Sequence, residues 1–574
     1  MLHRFADPIR TLLAAKSGLS VSEIRLEKPR DESLGDLAFP CFVLAKAKKA
    51  APPAVAAELA TALSDELARQ GVEATVTATG PYLNFRIERK ALAREVFAAV
   101  GAAGSRYGGS DEGAGKTIVI DFSSPNIAKP MHVGHIRSTI IGAALQRLHQ
   151  ALGYRTVGIN HIGDWGAQFG GLVVAIRRWK DEVQLEQDPV RGLLELYQRS
   201  KQAVETDEAF RAEAIAAYQE LESGKEGEVR RLWRWVTEIS LRGFDATYRR
   251  LGIHHDLVRG ESFYEPFLEP TIERVTQSGV TEVSQGALVV MLGEVDKGLK
   301  ETPCLLRQTN GTTLYATRDL AGMFHRWGEF QFERCLYVVG AEQKLHFRQL
   351  KAVLKRMQLE WEPRVEHVDF GLLLGPGRVK LASRKGEVLV LDELIDEVVE
   401  EALRVIEAKN PDLPNKQQVA EAVGIGAIVF NDLKRERIRD VIFDKNDILS
   451  FEGDTGPYLQ YTHARLGAIE RKVAERGEGG GAPDWTVLEH SGPILMRLAR
   501  FPDAVRSAAA HCEPSELSTF LIALARDVSA WLTDNRVLGE APSTTAARLA
   551  LVRNARVVLG NGMELLGLAH PSEM

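Results

Sequence analysis

The chain has 574 residues, 45% hydrophobic and 26% charged, so it can bury a sizeable core and is neither disordered nor fibrous. Its 72 basic and 78 acidic residues give a net charge of −6, so nucleic-acid binding would need a local basic face. For this length, about three to four domains are expected.

The cysteines lie far apart with no C-x-x-C pair: Cys41, Cys304, Cys335 and Cys512. This spacing argues against a zinc ribbon and against a disulfide framework, and it suits a reducing compartment. We therefore expect no zinc and no other protein-bound metal. Because no run of 18 apolar residues and no signal-peptide pattern occurs, we expect a cytoplasmic protein that does not contact a membrane.

In chain order, residues 1–110 mix helical periodicity with short strands, which predicts a small α/β N-terminal domain. Glu58–Arg69 has helical spacing, and Ala74–Ile87 contains strand-like alternation around Gly80-Pro81. Gly101–Gly115 is rich in Gly, Ser and Asp, which predicts a linker.

The next segment has the pattern of a βαβ unit in a parallel sheet. Thr117–Phe122 predicts a buried strand, a helix is expected over about 132–152, and Thr156–Asn160 predicts another strand. A charged helical pattern from about 177 to 250 predicts a helical insertion, with bounds of about 177–300, and residues 280–317 turn β-rich. A buried strand is predicted at Leu336–Val339, and the Asn310-Gly311 turn predicts a strand that gives way to a helix near residue 315.

From Leu391 the apolar positions follow helical spacing, and the rest of the chain stays helical. We expect an α/β catalytic core between a small α/β domain and an all-α C-terminal domain. The predicted bounds are 1–110 for the N-terminal domain, 111–390 for the core, 391–450 for a helical linker and 451–574 for the helical bundle.

The first strand–helix junction carries the strongest local signal, His132-Val-Gly-His135. Its two imidazoles lie three residues apart on the first helical turn, where free backbone N–H groups and the helix dipole favour a phosphate. Gly134 leaves room for a flat ring against the backbone. The motif predicts a nucleotide site without a Walker lysine, although capping or core histidines, or a metal pair, have the same spacing.

The surroundings of this motif resemble the signature of arginyl-tRNA synthetases, which are class I aminoacyl-tRNA synthetases. The resemblance covers essentially the whole chain and implies a Rossmann-type core. Its activity would attach L-arginine to tRNA(Arg) through an arginyl-adenylate, with ATP and Mg²⁺, releasing AMP and diphosphate. The matching stretches are Asp121–Gly142 (DFSSPNIAKPMHVGHIRSTIIG), Asn160–Gly170 (NHIGDWGAQFG), Gly35–Phe39 (GDLAF), Pro81–Phe85 (PYLNF) and Thr455–Arg465 (TGPYLQYTHAR).

A guanidinium is a planar fork of donors, so a selective pocket needs a carboxylate that accepts it bidentately. Asp319 is the candidate, although an acid in a first helical turn also stabilises its own helix. The resemblance implies that Tyr315, Asp319 and Gln343 bind the side chain of arginine. It also implies amino-acid contacts from Ser124, Pro125, Asn126 and His135, with Asp121 as a candidate second carboxylate.

Lys380–Gly386 (KLASRKG) lies where class I synthetases have a K-M-S-K-S-type loop, but Ser383 occupies the usual lysine position. Lys129, upstream of the histidines, resembles the family's substitute cation. A solvated basic turn is the alternative interpretation of the loop. The resemblance implies catalytic roles for His132, His135, Lys129, Lys380 and Lys385, and ATP contacts from His132, Gly134, His135, Lys380, Ser383 and Arg384.

Residues 451–574 contain 12 basic and 15 acidic residues, so non-specific phosphate attraction does not explain a tRNA role there. The resemblance implies that they form the anticodon-binding bundle and that 391–450 is a stem-contacting linker. Tyr82 and Asn84 project from one side of a strand and could stack on and hydrogen bond to an unpaired base. The resemblance places this contact at the outer corner of the tRNA.

Two other hypotheses compete with an arginine–tRNA ligase, which we expect to act as a monomer. One is a nucleotidyl-transferring ligase that uses the same H-x-G-H core on a free small molecule, but it would not need the two flanking domains. The other is a non-catalytic tRNA-binding relative, for which a broken histidine motif or a missing Asp319 would be expected. The sequence instead contains an intact histidine motif and Asp319.

Overall fold

The computed structural model describes residues 2–29, 31, 33–185, 187–379 and 389–574. The N-terminal region packs helices against an antiparallel sheet of order β1-β3-β2. The predicted strand character of Ala74–Ile87 is confirmed: two strands pair there as a hairpin, and Gly80 at its turn has φ of +56°, which favours glycine. The elements are α1 (His3–Ser17), β1 (Leu37–Pro40), α2 (Phe42–Lys48), α3 (Pro52–Arg69), β2 (Ala74–Thr79), β3 (Tyr82–Ile87) and α4 (Arg89–Ala103).

A five-stranded, all-parallel sheet forms the core, which confirms the predicted Rossmann-type architecture. Its strands lie in the order β11 (Val365–His367), β10 (Arg334–Tyr337), β4 (Thr117–Asp121), β5 (Arg155–Asn160) and β6 (Leu257–Val258). Its central strand β4 is β-branched, and its middle residues are fully buried, as a strand covered on both faces requires. The elements up to the insertion are β4 (Thr117–Asp121), α5 (Ile136–Ala151), β5 (Arg155–Asn160) and α6 (Gln168–Trp179).

The insertion begins with helices, as the charged periodicity predicts, and continues into a small antiparallel sheet of order β7-β8-β9. The strand expected after the Asn310-Gly311 turn is not found: Arg307 and Thr313 form an isolated bridge, and a helix starts at Tyr315. The elements are α7 (Pro189–Thr206), α8 (Glu208–Glu222), α9 (Glu228–Arg250), β6 (Leu257–Val258), α10 (Leu268–Gln277), β7 (Thr281–Ser284), β8 (Ala287–Val290), β9 (Cys304–Arg307), α11 (Tyr315–Phe330), β10 (Arg334–Tyr337), α12 (Lys344–Arg356), β11 (Val365–His367) and β12 (Leu373–Leu374).

The C-terminal part is helical, as predicted, and its short strand β13 pairs in parallel with β12 of the core. The predicted second-signature residues Lys380, Ser383, Arg384 and Lys385 lie outside the described residues. The elements are α13 (Leu391–Lys409), α14 (Lys416–Leu433), β13 (Val441–Ile442), α15 (Lys445–Ile448), α16 (Gly456–Glu475), α17 (Gly492–Ala510), α18 (Pro514–Asp534) and α19 (Pro542–Leu566).

Two further observations concern the expected linker and the membrane. Helix α4 continues to Ala103, so the first residues of the predicted linker Gly101–Gly115 are helical. Packing of the apolar face of α4 outweighs the low helix propensity of Gly101. Throughout the described ranges, every helix is too short or too polar to cross a lipid bilayer.

Candidate active site

Those predicted site residues of the core that lie within the described ranges gather at the carboxyl edge of the parallel sheet, where β4 and β10 are neighbours. The chain passes from β4 to β5 on one side while β10 lies on the other, so a crevice opens between their loops. After β4, Ser123 and Ser124 have φ of 78° and 53°, in the left-handed region that serine rarely adopts. The Ser123 hydroxyl lies 2.8 Å from the hydroxyls of both Thr139 and Tyr248, which hold this backbone in place.

The His132 motif forms a 3-10 turn, Val133–His135, that leads directly into α5. The backbone N–H of His132 donates to Nδ1 of His135, and the N–H of Gly134 donates to Nδ1 of His132, both at 3.1 Å. The other two N–H groups of the turn donate to backbone carbonyls. The N–H groups of this turn are therefore not free, contrary to the prediction, because the protein itself uses them. Phosphate binding at the turn stays a prediction.

These hydrogen bonds fix where each imidazole carries its proton. Because each Nδ1 accepts a backbone N–H, the proton of each neutral ring is on Nε2. Burial, and to a smaller extent His132, lowers the pKa of His135 to about 3. Burial and then Lys129 lower the pKa of His132. Both rings, whose centroids are 3.8 Å apart, are therefore neutral at pH 7, and each presents one Nε2–H donor without a positive charge.

Lys129 brings a cation to the same turn. Besides burial, its ammonium contributes to the lowered pKa of both histidines, so its charge acts on their rings. Its Nζ also lies 4.2 Å from the ring centroid of Tyr197 on α7, a cation–π distance. Lys129 thus connects the histidine turn to the insertion.

The stretch Asn160–Gly170 lies against the loop that follows β4. The N–H of Gly163 donates to the carbonyl of Pro125 at 3.0 Å, and its own carbonyl accepts from Ile127 at 3.2 Å. A Cβ at Gly163 would lie 1.9 Å from Oδ1 of Asn126, so a larger residue at this position would displace the amide of Asn126. The contact fixes Pro125, which is buried, and Asn126, which is exposed at the crevice.

The residues predicted to bind the arginine side chain lie at the starts of two helices. Tyr315 begins α11 with its side chain 69% exposed. One turn later, Oδ2 of Asp319 lies 2.5 Å from Nε2 of His346 in the first turn of α12. Gln343 is exposed and immediately precedes α12. The structure therefore brings Tyr315, Asp319 and Gln343 together at the carboxyl edge, with His346 as an unpredicted partner of the carboxylate.

Asp121, the candidate second carboxylate, is almost fully buried and has a partner within the protein. Its Oδ2 lies 2.7 Å from Nη2 of Arg326, and its Oδ1 accepts from the hydroxyl of Ser124 at 3.1 Å. Arg326 is itself 1% exposed. The carboxylate thus neutralises an internal guanidinium and fixes Ser124 at the crevice, and its binding of substrate arginine stays a prediction.

Two acids next to this pocket, the buried Asp164 and the partly buried Glu261, were not predicted. Asp164 accepts from the N–H and the hydroxyl of Ser262 at 2.9 and 2.6 Å, and burial raises its pKa. Burial also raises the pKa of Glu261, opposed by Arg318 and reinforced by the nearby Asp164 and Asp319 carboxylates. These acids add negative potential beside Asp319, which suits a cationic ligand. Asp164 lies within a matching family stretch, which is the signal that would have identified it.

The predicted RNA contact lies on β3 of the N-terminal sheet. Tyr82 packs edge-on against Phe42, with ring centroids 5.8 Å apart, and Phe42 is 50% exposed. Asn84 is only 3% exposed, and its Nδ2 has no hydrogen-bond partner among the residues described. The exposed aromatic surface therefore includes Phe42, which the sequence did not predict, whereas the predicted base contact of Asn84 is not favoured because its side chain is buried.

A parallel sheet with an H-x-G-H turn at its switch point, joined to a separate helical domain, defines a class I aminoacyl-tRNA synthetase. Family models match "tRNA synthetases class I (R), catalytic domain" at residues 99–445, "Arginyl tRNA synthetase N terminal domain" at 3–87 and "DALR anticodon binding domain" at 459–574. The chain belongs to the arginyl-tRNA synthetase family.

Individual relatives agree with this assignment and confirm the resemblance. The arginine–tRNA ligase of Ligilactobacillus salivarius (strain UCC118) is 41% identical over 554 residues, covering 96% of this chain and 95% of the relative. That of Streptococcus pneumoniae (strain CGSP14) is 42% identical over 549 residues, with the same coverage. The solved arginyl-tRNA synthetase structure from Thermus thermophilus covers all of both chains with a TM-score of 0.83 and 26% identity. The Plasmodium falciparum structure shares the fold, with a TM-score of 0.76 at 22% identity over 99% of this chain and 98% of that one.

Proposed function

We propose that this chain attaches L-arginine to tRNA(Arg) at the expense of ATP. The carboxylate of arginine attacks the α-phosphorus of ATP, diphosphate leaves, and a terminal ribose hydroxyl of the tRNA then takes the arginyl group and releases AMP. The observation that carries the proposal is the 41% identity to an arginine–tRNA ligase over 96% of the chain. ATP would enter as its Mg²⁺ complex, with the metal bound through phosphate oxygens.

The histidine turn is proposed to hold the nucleotide. Two neutral Nε2–H donors suit phosphate oxygens, and Gly134, exposed between the rings, leaves space beside them. Neutral donors do not balance the charge that develops on departing diphosphate, so cations must be placed there. Lys129 is the proposed principal cation because its charge already acts on both rings. Further ATP contacts are proposed for Lys380, Ser383, Arg384 and Lys385.

Asp319 is proposed to receive the guanidinium of arginine bidentately. In the protein alone its carboxylate meets His346, and the nearby acids Glu261 and Asp164 add to the attraction for a cation. Lysine would present a single point charge and citrulline none, so arginine is favoured over both. Tyr315 and Gln343 would flank the side chain, while the amino-acid end would meet Ser124, Pro125, Asn126 and His135.

The regions outside the core are proposed to bind the tRNA. Residues 1–110 would meet the outer corner of the tRNA through Tyr82 and Asn84, 391–450 its stem and 451–574 its anticodon. The match of 459–574 to an anticodon-binding domain supports the last assignment. We propose that the protein works as a monomer in the cytoplasm, for which its buried, unpaired cysteines are suited.

The test is ATP-dependent charging of total tRNA with each of the twenty amino acids, and with citrulline. We expect charging with arginine alone. His135→Ala, purified in the same way, should lose the activity, which excludes a contaminating host enzyme. Charging with another amino acid, or adenylate formation without any charged tRNA, would contradict the proposal, and the latter would favour a ligase for a free small molecule.

A further inference from the structure

Arg137 lies two residues after the histidine turn, in the first turn of α5, and is 1% exposed. Its Nε donates to Oδ2 of Asp432 on α14 at 2.9 Å. The Asp432 side chain is also buried, and burial raises its pKa while the guanidinium opposes that rise. A buried ion pair therefore joins α5, the helix of the first signature, to α14.

The rest of the Arg137 guanidinium binds the backbone of two further segments. Its Nη1 donates to the carbonyls of Gly371 at 2.6 Å and Arg439 at 2.9 Å, and its Nη2 donates to the carbonyl of Arg437 at 3.1 Å. One side chain thus binds α14, the turn after it, and the chain just before β12. Lysine has a single nitrogen and cannot reproduce this set of contacts.

Gly371 begins the segment that leads to the second signature. The N–H of Leu372 donates to Oδ1 of Asp440 at 3.0 Å, and β12 then pairs with β13. A Cβ at Gly371 would lie 2.8 Å from the carbonyl oxygen of Arg439, so the two backbones approach as closely as glycine allows. Since Lys380 follows the end of β12 by six residues, this pairing sets the point from which the second signature departs.

We propose that Arg137 is a positioning residue for arginine activation. By binding α14, its following turn and Gly371 together, it fixes the separation between the histidine turn and the strand before the second signature. The inference rests on the proposed function, because both signatures must meet one ATP. A misplacement of about 1 Å between such groups costs roughly 100-fold in rate. The loss should fall on kcat, because the residues proposed to bind the side chain of arginine, Tyr315, Asp319 and Gln343, are not part of this junction.

Arg334 offers a matched control, since it also joins the sheet to the helical bundle. It forms a bidentate ion pair with Glu366, and it donates to the carbonyl of Ala509 at 3.2 Å and to Sγ of Cys512 at 3.0 Å. These contacts involve neither β12 nor the histidine turn. Arg334→Lys therefore removes an inter-domain guanidinium while leaving the junction of the signatures intact.

The test measures arginine-dependent exchange of diphosphate into ATP by the full-length chain, with tRNA present. We expect Arg137→Lys to lower kcat at least tenfold while the KM for arginine stays within twofold. Arg334→Lys should change kcat less than twofold, although both variants lower the thermal unfolding midpoint. An unchanged kcat in Arg137→Lys, or equal kcat losses in the two variants, would overturn the proposal.

Two further variants keep the test decisive if Arg137→Lys does not fold. Gly371→Ala displaces the same segment without removing a charge and should also lower kcat at a preserved KM; an unchanged kcat would count against the proposal. Asp440→Asn weakens the hold on the segment, so its effect combined with Arg137→Lys should be smaller than the product of the single effects. If the kcat loss of the double variant equalled the product of the two single losses, the two residues would not act together through β12. Charging of tRNA by the parent tests the proposed function separately.

Discussion

The candidate active site has two sides with different charge: a nucleotide side, formed by the histidine turn and Lys129, and an arginine side around Asp319. On the nucleotide side, burial leaves His132 and His135 neutral, and their Nδ1 atoms serve the backbone. On the arginine side, the carboxylates of Asp164 and Asp319 both act on the partly buried Glu261, and Arg318 and His161 partly balance their charge. One side presents neutral donors, and the other presents a concentration of carboxylates.

This difference matches the charges of the two proposed ligands. The guanidinium of arginine keeps its charge throughout the reaction, so preformed acids bind ground state and transition state alike and act on KM. The charge on diphosphate grows as it leaves, so a cation placed there stabilises the transition state selectively and acts on kcat. Substitutions on the two sides should therefore affect different kinetic constants.

The largest effect is expected on the nucleotide side, from Lys129→Ala. Removing a charge that stabilises the leaving group should lower the rate of arginine activation by about 100-fold or more. The KM for arginine should change less than threefold. The measurement is diphosphate exchange at saturating ATP and arginine, with tRNA present.

Two further variants separate the charge of Lys129 from its packing. Tyr197→Leu removes the ring under the ammonium but keeps the lysine, and it should retain most of the activity. Adding Ser383→Lys to Lys129→Ala restores the class I pattern and should recover part of the lost rate, because both cations serve one charge. A Lys129→Ala enzyme as fast as the parent would show that this cation is not required.

A smaller effect, on the other constant, is expected from Asp319→Asn. The guanidinium loses a charged hydrogen-bond partner, worth about 1.5–3 kcal/mol, so the KM for arginine should rise roughly 10- to 100-fold. The KM for ATP should stay within twofold. His346→Ala removes the other partner of this carboxylate and should change the KM for arginine less than threefold. Near-normal charging by Asp319→Asn at low arginine would refute the assignment.

Features encoded by local patterns could be predicted from the sequence. The run at Thr117–Phe122 indicates the central strand β4 because a strand buried on both faces is continuously apolar. The spacing after Leu391 likewise predicts α13. The histidine motif indicates the site because chain order alone places it at the end of β4. None of these predictions needs knowledge of a distant contact.

Features that depend on distant segments could not be predicted. The N–H of Val133 donates to the carbonyl of Leu389, which is more than 250 residues away in the chain. The motif alone could therefore not show that this N–H has a partner. The partner of Asp121 is likewise a distant residue, Arg326. Phe42 lies in an ordinary helical pattern, and only the pairing of β1 with β3 brings it beside Tyr82.

Tyr82→Ala and Phe42→Ala change a surface of the N-terminal region that belongs to neither the nucleotide side nor the arginine side. They test whether this surface acts on tRNA alone. Loss of a stacking ring should weaken tRNA binding by about 1–3 kcal/mol, measured as the dissociation constant for tRNA(Arg). The KM values for arginine and ATP should stay within twofold. Val43→Ala, at a neighbouring position that is 67% exposed but has no ring, is the control and should bind tRNA like the parent. A loss of arginine affinity with tRNA binding intact would contradict the assigned role.

The smallest effect concerns the proton state of His135. Burial lowers the pKa of His135 to about 3, whereas an unfolded histidine titrates near 6.5, so the unfolded chain binds more protons between these values. This contribution to stability is fully present above pH 6.5 and is lost as the pH falls from there towards 3. The parent should have a higher free energy of unfolding than His135→Gln at pH 7.5. This difference should shrink by about 1 kcal/mol between pH 7.5 and 5.5, measured by urea unfolding.

His149, at the other end of α5, separates this stability effect from catalysis. Burial lowers the pKa of His149 to about 4, so His149→Gln should show a pH dependence of the same sign. Only His135→Gln should also lose arginine activation, because only that ring belongs to the nucleotide side. If His135 were charged in the folded protein, its pKa would lie above 6.5 and the stability difference would grow on acidification. Such a growth would mean that the histidine turn supplies positive charge to the phosphates, and the contrast between the two sides of the site would disappear.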